Sequence, residues 1–332
     1  MRKASHYCIY FTGRNAVPVA DIVYENVGKR DIKPAFRRVP GVNDMEIKDL
    51  AGCLRARQWT KNTVIFAALV FSNHAHQTAY VARCIAAFVL FSIATGAVYV
   101  FNDIIDIPSD REHPVKRFRP IASGRMSVAA GWMFSLLLLT VALVMAFALD
   151  VDFGGVVLAY VLLQVAYTYT LKRMVIVDVF AISLSFILRV VAGAVVIHVE
   201  ISSWILICTM LLALFLALSK RRHELVLLSE NAGSHRHILR EYSPYLLDQM
   251  IGVTTSATLV AYIIFTLSEE TTVKFGRMVF TVPFVLYGIF RYLYLVHMKE
   301  KGGQPEEILL TDIPLQIDIL LYGLVALAVI YL

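Results

Sequence analysis

The residues best suited to chemistry lie in one acidic stretch of the chain. Asn102, Asp103, Asp106 and Asp110 follow Tyr99 by three, four, seven and eleven positions, so on one continuing helix all five share a face. Three carboxylates on one face repel each other and require a cation, and clustered oxygens are the ligands that Mg²⁺ prefers. We therefore predict a magnesium site formed by Asn102, Asp103, Asp106 and Asp110. A helix end whose acids face water is the alternative.

A basic loop follows the acidic stretch directly. Basic residues beside acids are expected where a polyanion lies between them, because the acids hold Mg²⁺ and the basic side chains hold the remaining phosphate oxygens. The pattern predicts a diphosphate site, and a later basic stretch could clamp a phosphate or cap this site. The basic residues concerned are Arg111, Lys116, Arg117 and Arg119 in the first loop and Lys220 and Arg221 in the later one.

A second polar cluster begins at Tyr167 and Lys172 and continues to Asp178 and Arg189. Asp178 and Arg189 are eleven residues apart, which is about 16.5 Å along a helix, so Arg189 lies deep in an apolar segment. An arginine at such depth must face protein, water or an anion. Contact with an anionic substrate and a structural bond to backbone carbonyls or an acid both remain open.

The amino-acid composition indicates the kind of structure that positions these residues. Of the 332 residues, 58% are apolar and only 17% are charged, and the mean hydropathy is +0.66. Soluble domains have about 45–50% apolar and about 25% charged residues, which excludes a soluble globular enzyme and a disordered chain. We predict an all-α polytopic membrane protein with about nine transmembrane helices. The apolar runs lie at about 62–78, 80–102, 127–149, 154–171, 175–198, 202–219, 247–268, 278–297 and 314–332.

The distribution of Lys and Arg predicts the orientation of these spans. Together, the segment before the first span and every second loop after it contain 19 Lys and Arg residues, whereas the other loops contain only Lys274 and Arg277. By the positive-inside rule, the N-terminus and the candidate site face the cytoplasm, in the inner (cytoplasmic) membrane. We expect residues 1–45 to form a cytoplasmic, partly mobile extension and residues 46–332 a single transmembrane catalytic domain. Because the basic residues behind the net charge of +6 lie mostly in these loops, we expect no nucleic-acid partner. Whether the protein forms a homo-oligomer is left open.

The acidic stretch, together with Arg119-Pro120-x-x-Ser123-Gly124, resembles the first Asp-rich motif of the UbiA superfamily of intramembrane prenyltransferases. The resemblance extends over nearly all of residues 50–332 and implies a UbiA-type helical bundle that uses Mg²⁺. Superfamily members typically carry a second Asp-rich motif after the fourth span, where two carboxylates bind a second Mg²⁺. Here the position four beyond Asp178 is Ile182, so the chain departs from that pattern.

Further stretches are similar to one branch of the superfamily, the decaprenyl-phosphate phosphoribosyltransferases. They are Leu54–Asn62, Asp110–Pro120, Lys220–Leu225 and Pro305–Glu307. The resemblance implies transfer of 5-phosphoribose from phosphoribosyl pyrophosphate to a polyprenyl phosphate lipid, with release of pyrophosphate. The product in this branch supplies D-arabinose donors for cell-wall polymers. The 5-phosphate requires its own basic patch, for which Lys116, Arg119, Lys172, Arg189 and Lys220 are candidates.

The predicted site combines the residues from both lines of argument. Asp103, Asp106, Asp110, Lys116 and Arg119 are the expected catalytic residues. The expected substrate-binding residues are Lys61, Tyr99, Asn102, Arg111, Arg117, Tyr167, Lys172, Asp178, Arg189, Lys220 and Arg221. The main alternative is an aromatic prenyltransferase with a polyprenyl diphosphate donor, and the missing second carboxylate argues against it. A transporter is a more distant alternative, because the strongest polar clusters lie at the ends of spans rather than at the midplane.

Overall fold

Helices and the short connections between them form the described structure, a computed structural model of the chain. It describes residues 47–113, 115–227, 237–299, 303 and 305–331, all of which belong to one unit, Pro40–Leu332. The expected N-terminal extension at 1–45 lies outside the described residues. No β-strand occurs among the described residues.

Thirteen α-helices are described. They are α1 (Ile47–Leu54), α2 (Ala67–Phe71), α3 (Thr78–Ile105), α4 (Ile107–Glu112), α5 (Val128–Leu149), α6 (Val151–Tyr169), α7 (Val177–Val195), α8 (Ser203–Leu227), α9 (Pro244–Leu267), α10 (Glu269–Phe275), α11 (Val282–Met298), α12 (Pro305–Thr311) and α13 (Ile313–Tyr331). Short 3₁₀ helices occupy Ala56–Phe66, Lys116–Phe118, Leu171–Arg173, His237–Glu241 and Met278–Thr281. Eight helical segments of the described chain are long and apolar enough to cross a bilayer. This confirms the predicted all-α multi-pass membrane protein.

Several of the long helices begin at side chains that cap them. Ser127 accepts a hydrogen bond from the amide of Ala130 at the start of α5, and Ser243 does the same for Leu246 at the start of α9. Asp150 accepts from the amides of Asp152 and Phe153 at the start of α6. Each cap satisfies an amide that has no partner within its helix, so these residues fix where the spans begin.

The first predicted span, 62–78, is not a regular transmembrane helix. The chain runs instead as a 3₁₀ helix from Ala56 to Phe66 and continues into the five-residue helix α2. Asn62 within it is fully buried, and its side-chain amide donates to the hydroxyl of Ser92 on α3 at 2.9 Å. The described residues therefore contain eight long apolar helices, close to the nine predicted, and tertiary contacts set the course of this first segment.

The 3₁₀ segment packs directly on the backbone of α7. A Cβ atom added at Gly193 would lie 1.9 Å from the carbonyl oxygen of Ile65, a distance at which the backbone must move. Ile65 itself is fully buried. Gly193 therefore permits the approach that holds the first segment inside the bundle.

We expect Gly193→Ala to lower the free energy of unfolding by about 1–3 kcal/mol, because an added methyl group in this close contact forces the backbone apart. The matched control is Gly155→Ala on α6, where a Cβ meets nothing within 4 Å. That change should leave stability unchanged or raise it by up to about 1 kcal/mol. Thermal unfolding of the two variants in the same detergent makes the comparison, and equal midpoints would contradict the proposed contact.

Candidate functional site

The acidic stretch lies where α3 ends and α4 begins. Asp103 and Asp110 are nearly completely buried, and the guanidinium of Arg119 joins them, with Nη1 at 3.0 Å from Asp103 Oδ1 and 2.6 Å from Asp110 Oδ2. Arg55, the residue before the 3₁₀ segment, donates a second bond to Asp103 Oδ1 and stacks over the Tyr99 ring at 4.9 Å. Two carboxylates and two guanidinium groups thus form one compact charged cluster.

Asp106 belongs to a second contact, with the end of α6. Lys172 Nζ lies 2.7 Å from Asp106 Oδ1. One turn earlier on α3, Asn102 Oδ1 accepts a hydrogen bond from the hydroxyl of Thr168. These contacts bring the acidic stretch and the beginning of the second predicted cluster together.

The helix does not continue through the acidic stretch, which corrects one expectation. α3 ends at Ile105 and α4 begins at Ile107, with Asp106 between them. Pro108 in the first turn of α4 explains the break, because proline has no amide hydrogen and its ring clashes with the carbonyl four residues earlier. Asp103 and Asp110 therefore meet at Arg119, whereas Asp106, at 37% side-chain exposure, faces Lys172.

The donor set at this end fits a magnesium ion that is bound together with its substrate. Among the described residues, no group of three His, Cys, Asp or Glu side chains forms a complete metal cage. Mg²⁺, however, typically binds through one or two carboxylates, waters and substrate phosphates rather than an all-protein cage. The ion pairs use Oδ1 of Asp103, Oδ1 of Asp106 and Oδ2 of Asp110, so each carboxylate has a second oxygen outside these pairs.

The second predicted cluster is a buried ion-pair network. Asp178 is fully buried, and its Oδ2 accepts from Arg221 Nε at 2.7 Å. Arg221, only 2% exposed, also donates to Glu224 at 2.7 Å and to the Tyr167 hydroxyl at 3.3 Å. The sequence predicts substrate contacts for Asp178 and Arg221, whereas the structure uses both to hold α7 and α8 together.

Tyr242 completes this network from outside the membrane spans. Its hydroxyl donates to Asp178 Oδ1 at 2.9 Å and accepts from the amide of Ile176 at 2.7 Å. Ile176 has a φ of +69°, which is strained for a β-branched residue. Burial, above all, raises the pKa of Tyr242 to about 12, so the hydroxyl stays protonated and acts as the hydrogen-bond donor to Asp178.

Arg189 lies in a second buried network at the middle of the bundle. Its Nε donates to Asn62 Oδ1 at 2.7 Å, its Nη1 to the carbonyl of Ser185 at 2.6 Å, and its Nη2 to the Tyr160 hydroxyl at 3.2 Å. The guanidinium also lies over the rings of Tyr160 and Phe91. Of the two roles left open for Arg189, these contacts are those of a structural partner.

The remaining predicted residues are divided between the interior and the surface. Lys61 is half-buried on the 3₁₀ segment Ala56–Phe66. Lys220 is also half-buried, at the same end of α8 as Arg221. Lys116 and Arg117 are exposed on the 3₁₀ turn Lys116–Phe118, and the exposed Arg111 donates to the carbonyl of Ala122 at 3.1 Å.

Sequence reasoning missed Arg55, Thr168 and Tyr242 as members of the two clusters. Arg55 lies in the stretch Leu54–Asn62, which is rich in basic and polar residues, so its charge could have indicated a place near the acidic stretch. Thr168 is one residue beyond Tyr167 on α6 and could have been placed beside Asn102 only from the packing of α3 and α6. Tyr242 is a lone tyrosine 64 positions from Asp178, and no local pattern identifies it.

Similarity to known proteins agrees with the all-helical membrane fold. The model of the UbiA prenyltransferase family matches residues 63–306. The chain is 33% identical over 272 residues to a decaprenyl-phosphate phosphoribosyltransferase of Corynebacterium glutamicum, covering 80% of this chain and 81% of the relative. It is 31% identical over 268 residues to the protein of that name from Mycobacterium tuberculosis, covering 80% and 88%. A UbiA homologue from Archaeoglobus fulgidus bound to GPP and Mg²⁺ has a similar structure, with a TM-score of 0.63, 19% identity and coverage of 86% of this chain and all of the homologue.

Proposed function

Because the chain belongs to the UbiA prenyltransferase family, we propose that it transfers 5-phosphoribose from phosphoribosyl pyrophosphate to a polyprenyl phosphate, releasing pyrophosphate. The observation that carries this proposal is the similarity, along four-fifths of the chain, to relatives named for that activity. The orientation predicted from the basic loops places the reaction at the cytoplasmic face of the inner membrane. The lipid product would enter the synthesis of D-arabinose donors for cell-wall polysaccharide.

The charge balance at the acidic stretch supports a substrate with several phosphates. Asp103, Asp106 and Asp110 are matched by Arg55, Arg119 and Lys172, so three negative and three positive groups compensate each other. A diphosphate that arrives with Mg²⁺ can replace the carboxylates as partner of Arg119 and Lys172. The basic groups then hold phosphate oxygens while the carboxylates are released to hold the metal.

The reaction itself needs few groups from the protein. The bond between C1 of the ribose and the pyrophosphate oxygen breaks, C1 acquires oxocarbenium character, and a phosphate oxygen of the lipid forms the new bond to C1. The nucleophile is already an anion, so no general base is needed to remove a proton. Bound Mg²⁺, held by Asp103, Asp106 and Asp110, would neutralise charge on the leaving pyrophosphate.

The chain's own residues contribute by orienting and by electrostatic stabilisation. Arg119 and Lys172 stabilise charge that develops on the pyrophosphate. The isoprenoid tail of the acceptor would lie between helices, open to lipid. Residues that we propose for the ribose and the 5-phosphate are Lys61, Tyr99, Asn102, Arg111, Lys116, Arg117, Tyr167 and Lys220, while Asp178, Arg189 and Arg221 support them from the buried networks.

The decisive assay uses purified protein in lipid with Mg²⁺, polyprenyl phosphate and radiolabelled phosphoribosyl pyrophosphate. We expect label to enter the organic phase, and EDTA to abolish it. A parallel reaction offers a polyprenyl diphosphate with an aromatic acid, the substrates of the rival aromatic prenyltransferase. Prenylated aromatic product without ribosylated lipid, in protein shown to be folded, would overturn the proposal in favour of that rival.

A further inference from the structure

Arg55 belongs to the charged cluster at the end of α3, but the proposed reaction gives it no role. It lies between α1 and the 3₁₀ segment Ala56–Phe66, and its Nη2 donates to Asp103 Oδ1. The same oxygen accepts a bond from Arg119 Nη1 at 3.0 Å, and Arg119 also donates to Asp110. Asp103 therefore serves two guanidinium groups through one oxygen, and only Arg119 has a second carboxylate.

The backbone holds Arg55 in a conformation that residues with a side chain rarely adopt. Its φ of +49° and ψ of +53° lie in the left-handed region. Its amide donates to the carbonyl of Gly52 at 3.3 Å, and its carbonyl accepts from the amide of Gln58 at 2.7 Å. Leu54 packs on α3 where Gly96 has no Cβ, which would lie 2.8 Å from Leu54 Cδ2. Strain of this kind persists where packing enforces it, and it is concentrated at functional sites.

The two arginines form the more accessible part of the cluster. The side chains of Arg55 and Arg119 are 19% and 27% exposed, whereas those of Asp103 and Asp110 are 4% and 3% exposed. A metal ion that approaches alone meets guanidinium groups, which repel it, whereas a phosphate group is attracted to them. The cluster therefore favours an anion as the ligand that displaces the arginines from their carboxylates.

Arg55 and Arg119 are close enough to hold one phosphate group together. Both donate to Asp103 Oδ1, so bonds of about 3 Å each place the two nitrogens no more than about 6 Å apart. The oxygens of one phosphate can accept charge-assisted bonds from both groups, as the carboxylate does. The guanidinium of Arg55 also lies 4.9 Å from the centre of the Tyr99 ring. This cation–π contact does not depend on Asp103, so it keeps Arg55 at the site when its anionic partner changes.

We propose that Arg55 is an exchangeable counter-ion of Asp103. A phosphate oxygen of the donor's diphosphate replaces Asp103 as the partner of Arg55, and Asp103 becomes available to the Mg²⁺ that accompanies the diphosphate. Binding of the diphosphate and binding of the metal ion are then cooperative, because each favours the arrangement that the other requires. This inference rests on the proposed function, from which it takes the diphosphate, and it adds Arg55 to the residues that bind that group.

Two dissociation constants, measured on the full-length protein in detergent, test the exchange. Inorganic pyrophosphate is titrated by calorimetry in the presence of Mg²⁺. Mn²⁺, as a probe of the metal site, is titrated alone, with the free ion followed by electron paramagnetic resonance. We expect Arg55→Gln to weaken pyrophosphate binding by about tenfold or more, the effect of losing one hydrogen bond to a charged group. The same variant should bind Mn²⁺ alone more tightly than the wild type, because Asp103 loses a competing cation.

These opposite shifts distinguish an exchange from a structural role, since a side chain that only joins α1 to α3 would not strengthen metal binding. The matched control is Arg83→Gln, which removes an arginine that pairs with Asp150 near the other end of α3 and should leave both constants unchanged. Arg55→Lys keeps the charge and should give smaller shifts in the same directions, so it decides the test if Arg55→Gln does not fold.

Weaker binding of both ligands by the folded variant, or an unchanged affinity for pyrophosphate, would overturn the proposal. Neither ribose nor lipid takes part in these titrations, so their result is independent of the radiolabel assay. The exchange can fail while label still enters the organic phase, and it can be present in a protein that transfers no phosphoribose.

Discussion

We expect Asp106→Asn to lower the rate of the proposed phosphoribosyl transfer by about 100-fold or more while the protein remains folded. Asp106 is more exposed than Asp103 and Asp110, and it forms an ion pair with Lys172. Losing its charge would remove one of the proposed ligands for Mg²⁺ and leave Lys172 without its carboxylate. Electrostatic groups aimed at developing charge contribute about 10²–10³ in rate, which sets the expected magnitude.

A substitution at Asp106 tests the proposed function with less effect on folding than a substitution at Asp103. Asp103 is buried against Arg55 and Arg119, so Asp103→Asn would also leave buried guanidinium groups without full compensation. Both substitutions should greatly lower the rate, but only in Asp106→Asn do we expect the loss of one partly exposed ion pair to be the whole structural loss. Such pairs contribute at most about 1 kcal/mol to stability.

The measurement compares Asp106→Asn with Asp152→Asn in the radiolabel assay across a Mg²⁺ titration. Asp152 is an exposed acid in the first turn of α6, at the other end of the helix that precedes Lys172. The control should retain the normal rate. Full activity in Asp106→Asn, or an equal loss in both variants, would remove the case for a metal at the acidic stretch.

Local patterns were sufficient to predict the eight long helices and to identify the acidic stretch, but not the shape of that stretch. Length and hydropathy identify α3, α5 and α13 because a bilayer requires long apolar helices whatever their partners. The spacing of Asp103 and Asp110 correctly predicts that they lie close together. The break at Asp106, for which Pro108 is the local signal, and the pairing of both carboxylates with Arg119 were not predicted.

Contacts between distant parts of the chain could not be predicted from the sequence. The first segment has the hydropathy of a span, yet the approach of Ile65 to Gly193 and the bonds of Asn62 bend it into a 3₁₀ helix. Likewise, Asp178 opens α7 at a position that suggests a ligand contact. Its partner Arg221 is 43 residues away, and only the packing of α7 against α8 shows that their charges compensate each other.

The buried pair of Asp178 and Arg221 leads to the largest expected effect on stability. We expect Arg221→Met to lower the free energy of unfolding by about 3–5 kcal/mol, because it leaves Asp178 charged, fully buried and without its cation. The second oxygen of Asp178 would keep its bond from Tyr242, which is too weak to replace an ion pair.

A neighbouring pair on the same helix provides the control for Arg221→Met. Arg222 pairs with Asp248 at a more exposed position, so Arg222→Met should cost about 1 kcal/mol or less. The double variant Asp178→Asn/Arg221→Met should recover part of the loss, because the uncompensated charge is then gone. Thermal unfolding of the wild type, Asp178→Asn, Arg221→Met, Arg222→Met and the double variant in one detergent gives the comparison. An additive double variant, or equal losses for Arg221→Met and Arg222→Met, would show that the buried pair does not hold α7 to α8.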